Sequence, residues 1–197
     1  MKKTFLLTLL TFAPFLSFRP LSDTQPKPDK APPEQKPGRP GIIALMSGEI
    51  DTFAYDAGTV RFLASSEDTK GAWSLLEVIE MPGYKTNLHR HDNTDEAFYV
   101  LEGELIIRIN DTITEYPAGS YILIPRGTPH AQGNRKQAPV KILLTMTPGG
   151  FEQSFKDRVE LFKKTKPDHP DFRKKRKENA VKGNYDVEFL ADWELPT

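Results

Sequence analysis

The chain has 197 residues, 38% of them hydrophobic, so it can bury the core of one ordinary domain. Its 27 basic and 27 acidic side chains balance, which argues against a nucleic-acid partner held by overall charge. The absence of cysteine excludes a disulfide framework, a cysteine nucleophile and a thiolate-bound metal. A metal site in this chain would therefore use histidine, carboxylate or amide ligands.

The N-terminus, residues 1–18, has the pattern of a secretory signal peptide. Lys2 and Lys3 precede an apolar stretch that is shorter than the roughly 20 residues of a membrane-spanning helix. Residues 19–41 are rich in proline and poor in apolar side chains, which predicts a disordered linker. We therefore expect export to the periplasm or the extracellular space, without stable membrane insertion after cleavage. An uncleaved anchor or a buried core segment is the alternative.

The following part of the chain, residues 42–147, has the pattern of short β-strands. The strands are predicted over the segments TVRFLA, WSLLEVIEM, EAFYVL, ELIIRIN, TITEY, YILIP and VKILLTM. These segments are rich in β-branched and aromatic residues, and turn residues separate them. Because no long helix lies between them, the sequence predicts an all-β fold, an antiparallel barrel or sandwich.

Residues 148–197 differ from the strand-rich part and are predicted to form a C-terminal helical extension. A first helix is indicated by four apolar residues at the spacing of one helix face, Phe151, Phe155, Val159 and Phe162. A second helix is predicted from about residue 170 to residue 181. Its run of basic residues is typical of a solvated helix face.

Three of the four histidines carry the main chemical signal of the sequence. If His89 and His91 lie on one strand, its two-residue period turns both imidazoles to the same face. Glu96 follows after a polar turn, and a hairpin would bring it back beside the pair. His130 ends the segment YILIPRGTPH, in which proline and glycine set the geometry. His169 is isolated and is assigned no role.

Three neutral imidazoles and one carboxylate suit a divalent metal ion of intermediate hardness. With four protein ligands, an octahedral ion keeps two positions open for water, dioxygen or a bidentate substrate. The alternative is that these side chains are ordinary buried polar groups. That alternative is weaker for the paired histidines, because two imidazoles on one barrel face are costly to bury without partners.

Two motifs in this region resemble those of the cupin family. The first, G-x5-H-x-H-x4-E-x6-G, is matched by Gly83, His89, His91, Glu96 and Gly103. The second, G-x5-P-x-G-x2-H-x3-N, is matched by Gly119, Pro125, Gly127, His130 and Asn134. Since every fixed position is matched, the coincidence is far more specific than a lone short motif.

The resemblance implies a single-domain cupin, a double-stranded β-helix (jelly-roll) barrel. It also implies that one metal ion is bound by four residues, His89, His91, Glu96 and His130. The segments DEAFYVLEGEL, IPRGTPHA and TPGGFEQSF are similar to bacterial quercetin 2,3-dioxygenase-like cupins. In those dioxygenases the matching glutamate is thought to accept the substrate hydroxyl proton, a catalytic role that would fall to Glu96. A helix over residues 151–164 would form a lid or brace against the barrel.

The predicted function is that of a metal-dependent enzyme acting on a small molecule. The resemblance favours a quercetinase-like dioxygenase that cleaves a phenolic or enol substrate with O2. Iron, manganese, nickel or cobalt is the favoured metal, and zinc or copper is the alternative. A non-redox metal cupin, such as an isomerase or decarboxylase, and a non-catalytic module that binds a sugar or other small ligand are the alternative functions.

The strand period also predicts residues that line a substrate pocket. Phe98 and Val100 share the strand face of Glu96, with ordinary barrel core as an equal alternative for both. Gln132 shares the parity of His130, and it could orient a ligand or donate to the substrate. A homodimer paired through sheet edges is expected, because an unpaired edge is a liability for a monomer.

Overall fold

The computed structural model describes residues 42–55, 58–166, 169–183 and 185–196. The predicted signal peptide, residues 1–18, and the predicted linker, residues 19–41, lie outside this part of the chain, so both stay predictions. Within the described ranges, no helix combines the length and the apolar character that crossing a membrane requires.

Two antiparallel sheets make up the β-structure of the described residues. The first sheet has the spatial order β1 (Phe53–Tyr55), β2 (Gly58–Ala64), β3 (Ser74–Glu80), β10 (Val140–Thr147), β5 (Asp95–Glu102) and β8 (Tyr121–Ile124). The second has the order β11 (Glu188–Ala191), β4 (Leu88–Arg90), β9 (His130–Gly133), β6 (Glu104–Ile109) and β7 (Thr112–Pro117). Between β3 and β10 every connection except that from β6 to β7 passes from one sheet to the other, as in a jelly roll, and the all-β prediction is confirmed.

The helices of the described residues lie mainly after the barrel strands. They are α1 (Ser66–Thr69), α2 (Glu152–Lys164) and α3 (Phe172–Gly183), and a 3-10 turn spans Ser47–Glu49. The two later helices fall where the sequence predicts them. On α2, Phe155 and Val159 are buried in the main core, whereas Phe162 is only half-buried.

The hydrophobic core lies between the two sheets, because each strand turns alternate side chains inward. On β3 this alternation buries Leu76 and Val78. On β6, however, Leu105, Ile106 and Ile107 are all buried, so both faces of this strand are covered. Ile106 packs in a second, smaller cluster with Ala131 and Trp193.

That second cluster reflects a feature that the sequence analysis missed. The C-terminal extension is predicted to be helical, but after α3 the chain returns to the barrel as a segment that we call the C-terminal segment, residues 185–196. Its strand β11 pairs antiparallel with β4, with Phe189 opposite His89 and Glu188 opposite Arg90. The C-terminal segment therefore extends the second sheet beside the first two motif histidines.

Candidate metal centre

Four side chains meet inside the barrel, and they are the four predicted ligands. His89 lies on β4, His91 directly follows it, Glu96 lies on β5 and His130 begins β9. His89 and His130 are direct partners across the two strands. One ligand atom from each of the four residues can be chosen so that all four atoms lie within 4.8 Å of one another, and all four residues are buried. The cluster can therefore hold one metal ion.

The loops beside the ligands are tied to one another by hydrogen bonds. The Asp95 carboxylate accepts the main-chain N–H of Arg126 at 2.8 Å and two guanidinium contacts at 3.0 and 2.9 Å. The next residue, Gly127, has a φ of 79° and donates its N–H to the His91 carbonyl at 2.7 Å. A side chain would be strained at this φ, which explains the glycine in the second motif. These bonds fix the loop that leads to His130 against the strand carrying the glutamate.

The three histidines have their ring orientations set by main-chain carbonyls. In each ring Nδ1 contacts a carbonyl oxygen: His89 with Asn87 at 2.8 Å, His130 with Thr128 at 2.9 Å, and His91 with Asp186. Because a carbonyl can only accept, Nδ1 must carry a hydrogen, so a neutral ring has its lone pair on Nε2. All three imidazoles are thus oriented to bind a metal through Nε2 when that nitrogen carries no proton.

The charge state of the cluster follows from its burial and its contacts. Burial acts to raise the pKa of the Glu96 carboxyl, but a hydrogen bond from His130 and the nearby charges of His130 and His91 hold that pKa well below its usual range. The Oε2 atom of Glu96 lies 2.7 Å from Nε2 of His130. Burial, followed by the charge of His130, lowers the pKa of His89 to about 4. The site therefore combines an ionised carboxylate with a neutral imidazole at His89.

One atom in the cluster indicates that these side chains fit a cation. His91 Nε2 is buried and has no hydrogen-bond partner among the described residues, and it lies 3.5 Å from the Glu96 carboxylate. Leaving such an atom unpaired costs about 1–3 kcal/mol. A divalent ion would satisfy this nitrogen together with the other Nε2 atoms and the carboxylate. Three imidazoles and one carboxylate are a donor set for first-row divalent metals.

The three predicted pocket residues occupy different surroundings. Phe98 and Val100 are fully buried members of the main core. Gln132 is buried near the centre, and its Nε2 donates to Glu80 Oε1 at 3.3 Å. Their contact with a substrate stays a prediction. Asn134 fastens a turn: its Nδ2 donates to the carbonyls of Glu80 at 3.0 Å and Ala138 at 2.8 Å.

Glu80 is a buried carboxyl that sequence reasoning missed. Burial raises the pKa of Glu80 to about 8, and its Oε2 has no hydrogen-bond partner among the described residues. The signal was present in the sequence, because the two-residue period of β3 places Glu80 on the face of Leu76 and Val78. A charged residue type on an apolar strand face is uncommon and marks a polar point inside the barrel.

Aromatic side chains and a cleft lie beside the centre. The Phe151 ring, just before α2, meets the His91 ring edge-on with the centroids 4.6 Å apart. Phe151 also contacts Tyr185 of the C-terminal segment, at 6.3 Å between centroids. A cleft of about 300 Å³ adjoins these rings, and Asn93 and Gly150 are among its lining residues. The start of α2 and the C-terminal segment thus stand against the metal centre.

The fold and the site together define a small β-barrel protein with a buried centre of three histidines and one glutamate. The profile of the Cupin_2 family, described as a cupin domain, matches residues 76–146 and so includes all four ligands. The chain belongs to the cupin family.

Known proteins support this assignment at different levels. An uncharacterised protein of Methanocaldococcus jannaschii is 36% identical over 94 residues, which are 47% of this chain and 75% of that protein. The quercetin 2,3-dioxygenase of Bacillus subtilis is 30% identical over 90 residues, 44% of this chain but only 26% of the dioxygenase. The structure of KdgF from Halomonas superimposes with a TM-score of 0.51 at 14% identity, covering 57% of this chain and 99% of that one. This last likeness concerns the fold alone.

Proposed function

We propose that this cupin is a metal-dependent dioxygenase that cleaves a phenolic or enol substrate with O2. The observation that carries the proposal is an ionised, buried Glu96 beside three imidazoles whose Nε2 atoms are available to a metal. The sequence likeness to a quercetin 2,3-dioxygenase over 90 residues supports the same reaction class.

The metal would be held by four residues, His89, His91, Glu96 and His130. A redox-capable divalent ion bound there supplies a binding position for the substrate oxygen and for O2. Glu96 has a second role as acceptor of the substrate hydroxyl proton. Its Oε2 faces His130 and His91, which leaves Oε1 as the atom that takes this proton.

The surrounding side chains would protect the reaction from water. Met146 and Ile124 are the strand neighbours of Glu96, and both are buried. Phe151 covers the ring of His91 from the side of α2. An apolar environment of this kind strengthens electrostatic contacts at the centre and excludes water, which prevents competing hydrolysis. Gln132 is the polar side chain proposed to orient the substrate, since its Oε1 has no partner among the described residues.

The test is oxygen consumption by protein loaded separately with Fe(II), Mn(II), Ni(II) or Co(II). A panel of flavonols, catechols and enols serves as the probe set, and mass spectrometry identifies ring-opened products. Glu96→Gln keeps the size of the side chain and one ligand oxygen but removes the base. We expect O2 uptake by this variant to fall by about 100-fold or more, beyond any fall in bound metal.

The other functions predicted from the sequence give different results in the same assay. Turnover that continues without O2 would overturn the dioxygenase and favour an isomerase or decarboxylase, in which the metal acts as a Lewis acid. Saturable binding of a sugar or phenol with no turnover on any metal would favour a ligand-binding module. Retention of full O2 uptake by Glu96→Gln would refute the role given to this carboxylate.

We further propose that the protein works outside the cytoplasm. The support is the pattern of residues 1–18, a short basic start followed by an apolar stretch. Fractionation of the producing cells tests the proposal, with the processed N-terminus read by mass spectrometry. Recovery of the intact chain in the cytoplasmic fraction would contradict it.

A further inference from the structure

The C-terminal segment, residues 185–196, is held against the barrel and α2 by contacts spread along its length. Strand β11 pairs with β4, and Glu188 forms an ion pair with Arg90 at 2.6 Å. Farther on, Trp193 is buried against β6 and β9. At its start, Tyr185 donates a hydrogen bond to Asp157 of α2. The C-terminal segment thus joins α2 to the barrel beside the metal centre.

A single residue of this segment, Asp186, contacts the turn between His91 and Glu96. Its carboxylate accepts the main-chain N–H groups of Asp92 at 3.1 Å and Asn93 at 2.9 Å, and the Thr94 hydroxyl at 2.6 Å. Its main-chain carbonyl accepts the Nδ1 hydrogen of His91. These contacts together hold the whole turn that separates the second histidine from the glutamate.

The three histidines differ in where their orienting carbonyls come from. For His89 and His130 the carbonyl belongs to the residue two positions earlier in the same strand or loop. For His91 it belongs to Asp186, 95 positions later in the chain. Two of the ring orientations are therefore set within the barrel, and the third depends on the C-terminal segment.

We propose that Asp186 is a positioning residue of the metal centre, setting the orientation of His91 and the turn that follows it. The inference rests on metal binding at this centre, the first part of the proposed function, and not on dioxygen chemistry. Hydrogen-bond partners of metal-bound histidines fix the ring and its basicity. The C-terminal segment thereby becomes part of the site although it lies outside the matched family region.

The test is Co(II) binding by the full-length, metal-free protein, measured by competition with a chelator and by visible absorption at saturation. Asp186→Ala removes the carboxylate that anchors the segment to the turn. We expect Co(II) affinity to fall by about 10- to 100-fold and the bands of the saturated protein to shift, because His91 loses its fixed orientation. Asp186→Asn retains a carbonyl acceptor and should restore part of both properties.

The matched control is Glu194→Ala, which removes the ion pair of the same segment with Lys85. It should bind Co(II) with the wild-type affinity and spectrum. An unchanged saturated spectrum in Asp186→Ala would overturn the proposal, even if affinity fell, because the segment would then only support the fold. If circular dichroism shows that Asp186→Ala is unfolded, the spectrum of Co(II)-saturated Asp186→Asn decides instead.

Failure of the wild-type protein to bind Co(II) would overturn both this inference and the proposed function, whereas lack of O2 uptake would overturn the proposed function alone.

Discussion

The way its two ring nitrogens are used suits His89 to the proposed metal centre. Nδ1 is bound to the Asn87 carbonyl, so Nε2 is the atom that faces the other ligands. The ring centroid lies 4.3 Å from that of His130 and 5.1 Å from that of His91. A cation that accepts one lone pair from each of the three imidazoles would stabilise this close arrangement.

The first prediction concerns His89→Ala. We expect bound metal to fall from about one ion per chain to a small fraction, because alanine supplies no ligand atom in place of the imidazole nitrogen. Elemental mass spectrometry of the purified protein measures this, with circular dichroism to show that the strands persist. His169→Ala is the matched control, since this exposed histidine lies between α2 and α3 and should leave metal content unchanged. Full metal occupancy in His89→Ala would refute the ligand assignment.

The second prediction concerns the pH dependence of stability at Glu80. Burial raises the pKa of Glu80 to about 8, from an ordinary value of 4.5. Between these values the folded protein keeps the proton while the unfolded chain releases it, so stability falls as pH rises. This group alone contributes a slope of up to about 1.4 kcal/mol per pH unit in that window.

Glu80→Gln removes the titrating group and keeps the shape of the side chain. In urea unfolding at pH 5, 7 and 9, the free energy of unfolding of the variant should rise relative to that of the wild-type protein as pH rises. This difference should level off above about pH 8. A free-energy difference between the two proteins that is the same at all three pH values would show that Glu80 does not titrate in this way.

At the scale of single residues, the spacing of residues along the sequence predicts some members of the site and misses others. The four residues of the cluster could be named from the sequence, because their order and intervals are read directly along the chain. Glu80 was overlooked, although its position on an inward strand face was available from periodicity. The contact between Asp186 and His91 joins residues 95 positions apart, and no local pattern encodes such a pairing. Roles that depend on a distant backbone carbonyl require the tertiary structure.

At the scale of elements, α2 is bound to the barrel by one face. Phe155 is buried in the main core, and its ring meets Tyr55 of β1 edge-on with the centroids 5.9 Å apart. Val159 is buried beside it, one helix turn later. Phe162 is half-buried, with Lys166 over its ring. The apolar face of α2 predicted from the sequence therefore contributes unequally to the main core, most strongly near the middle of the helix.

The third prediction tests this arrangement. Phe155→Ala should lower the free energy of unfolding by about 3–5 kcal/mol, the usual cost of emptying a phenylalanine site in a core. Phe162→Ala, the control on the same helix, should cost clearly less because its ring is already partly in solvent. Urea denaturation of both variants makes the comparison. Equal losses would mean that α2 does not brace the barrel through its buried face.

The strands differ in how far local pattern could predict them. Strands β2, β3, β5, β6, β7, β8 and β10 lie where runs of β-branched and aromatic residues place them. Strand β11 was missed because all four of its residues are exposed, so it lacks the alternation that marks a half-buried strand. It forms by pairing with β4, a long-range interaction. Burial of Ile106 by Trp193 is missed for the same reason, since it follows from the return of the chain.

At the scale of the whole molecule, the main core is assembled from residues between Tyr55 and Val159. The first described residues do not pack into the core, since Ile42 is 92% exposed and Met46 is 77% exposed. Residues 19–41 carry few apolar side chains that could add to a core. The fold and the metal centre should therefore be independent of everything before residue 42.

The last prediction is that a chain beginning at Ile42 folds and binds metal as the full chain does. Its melting temperature should match that of the full chain, because the sequence of residues 19–41 predicts a linker that adds little to a folded core. Differential scanning calorimetry and elemental mass spectrometry test stability and metal content together. A chain lacking only residues 1–18 separates the effect of the apolar N-terminus from that of the proline-rich stretch. If the shorter chain is insoluble while this control is stable, residues 19–41 must cover part of the barrel surface, and the interpretation of that stretch as a free linker is wrong.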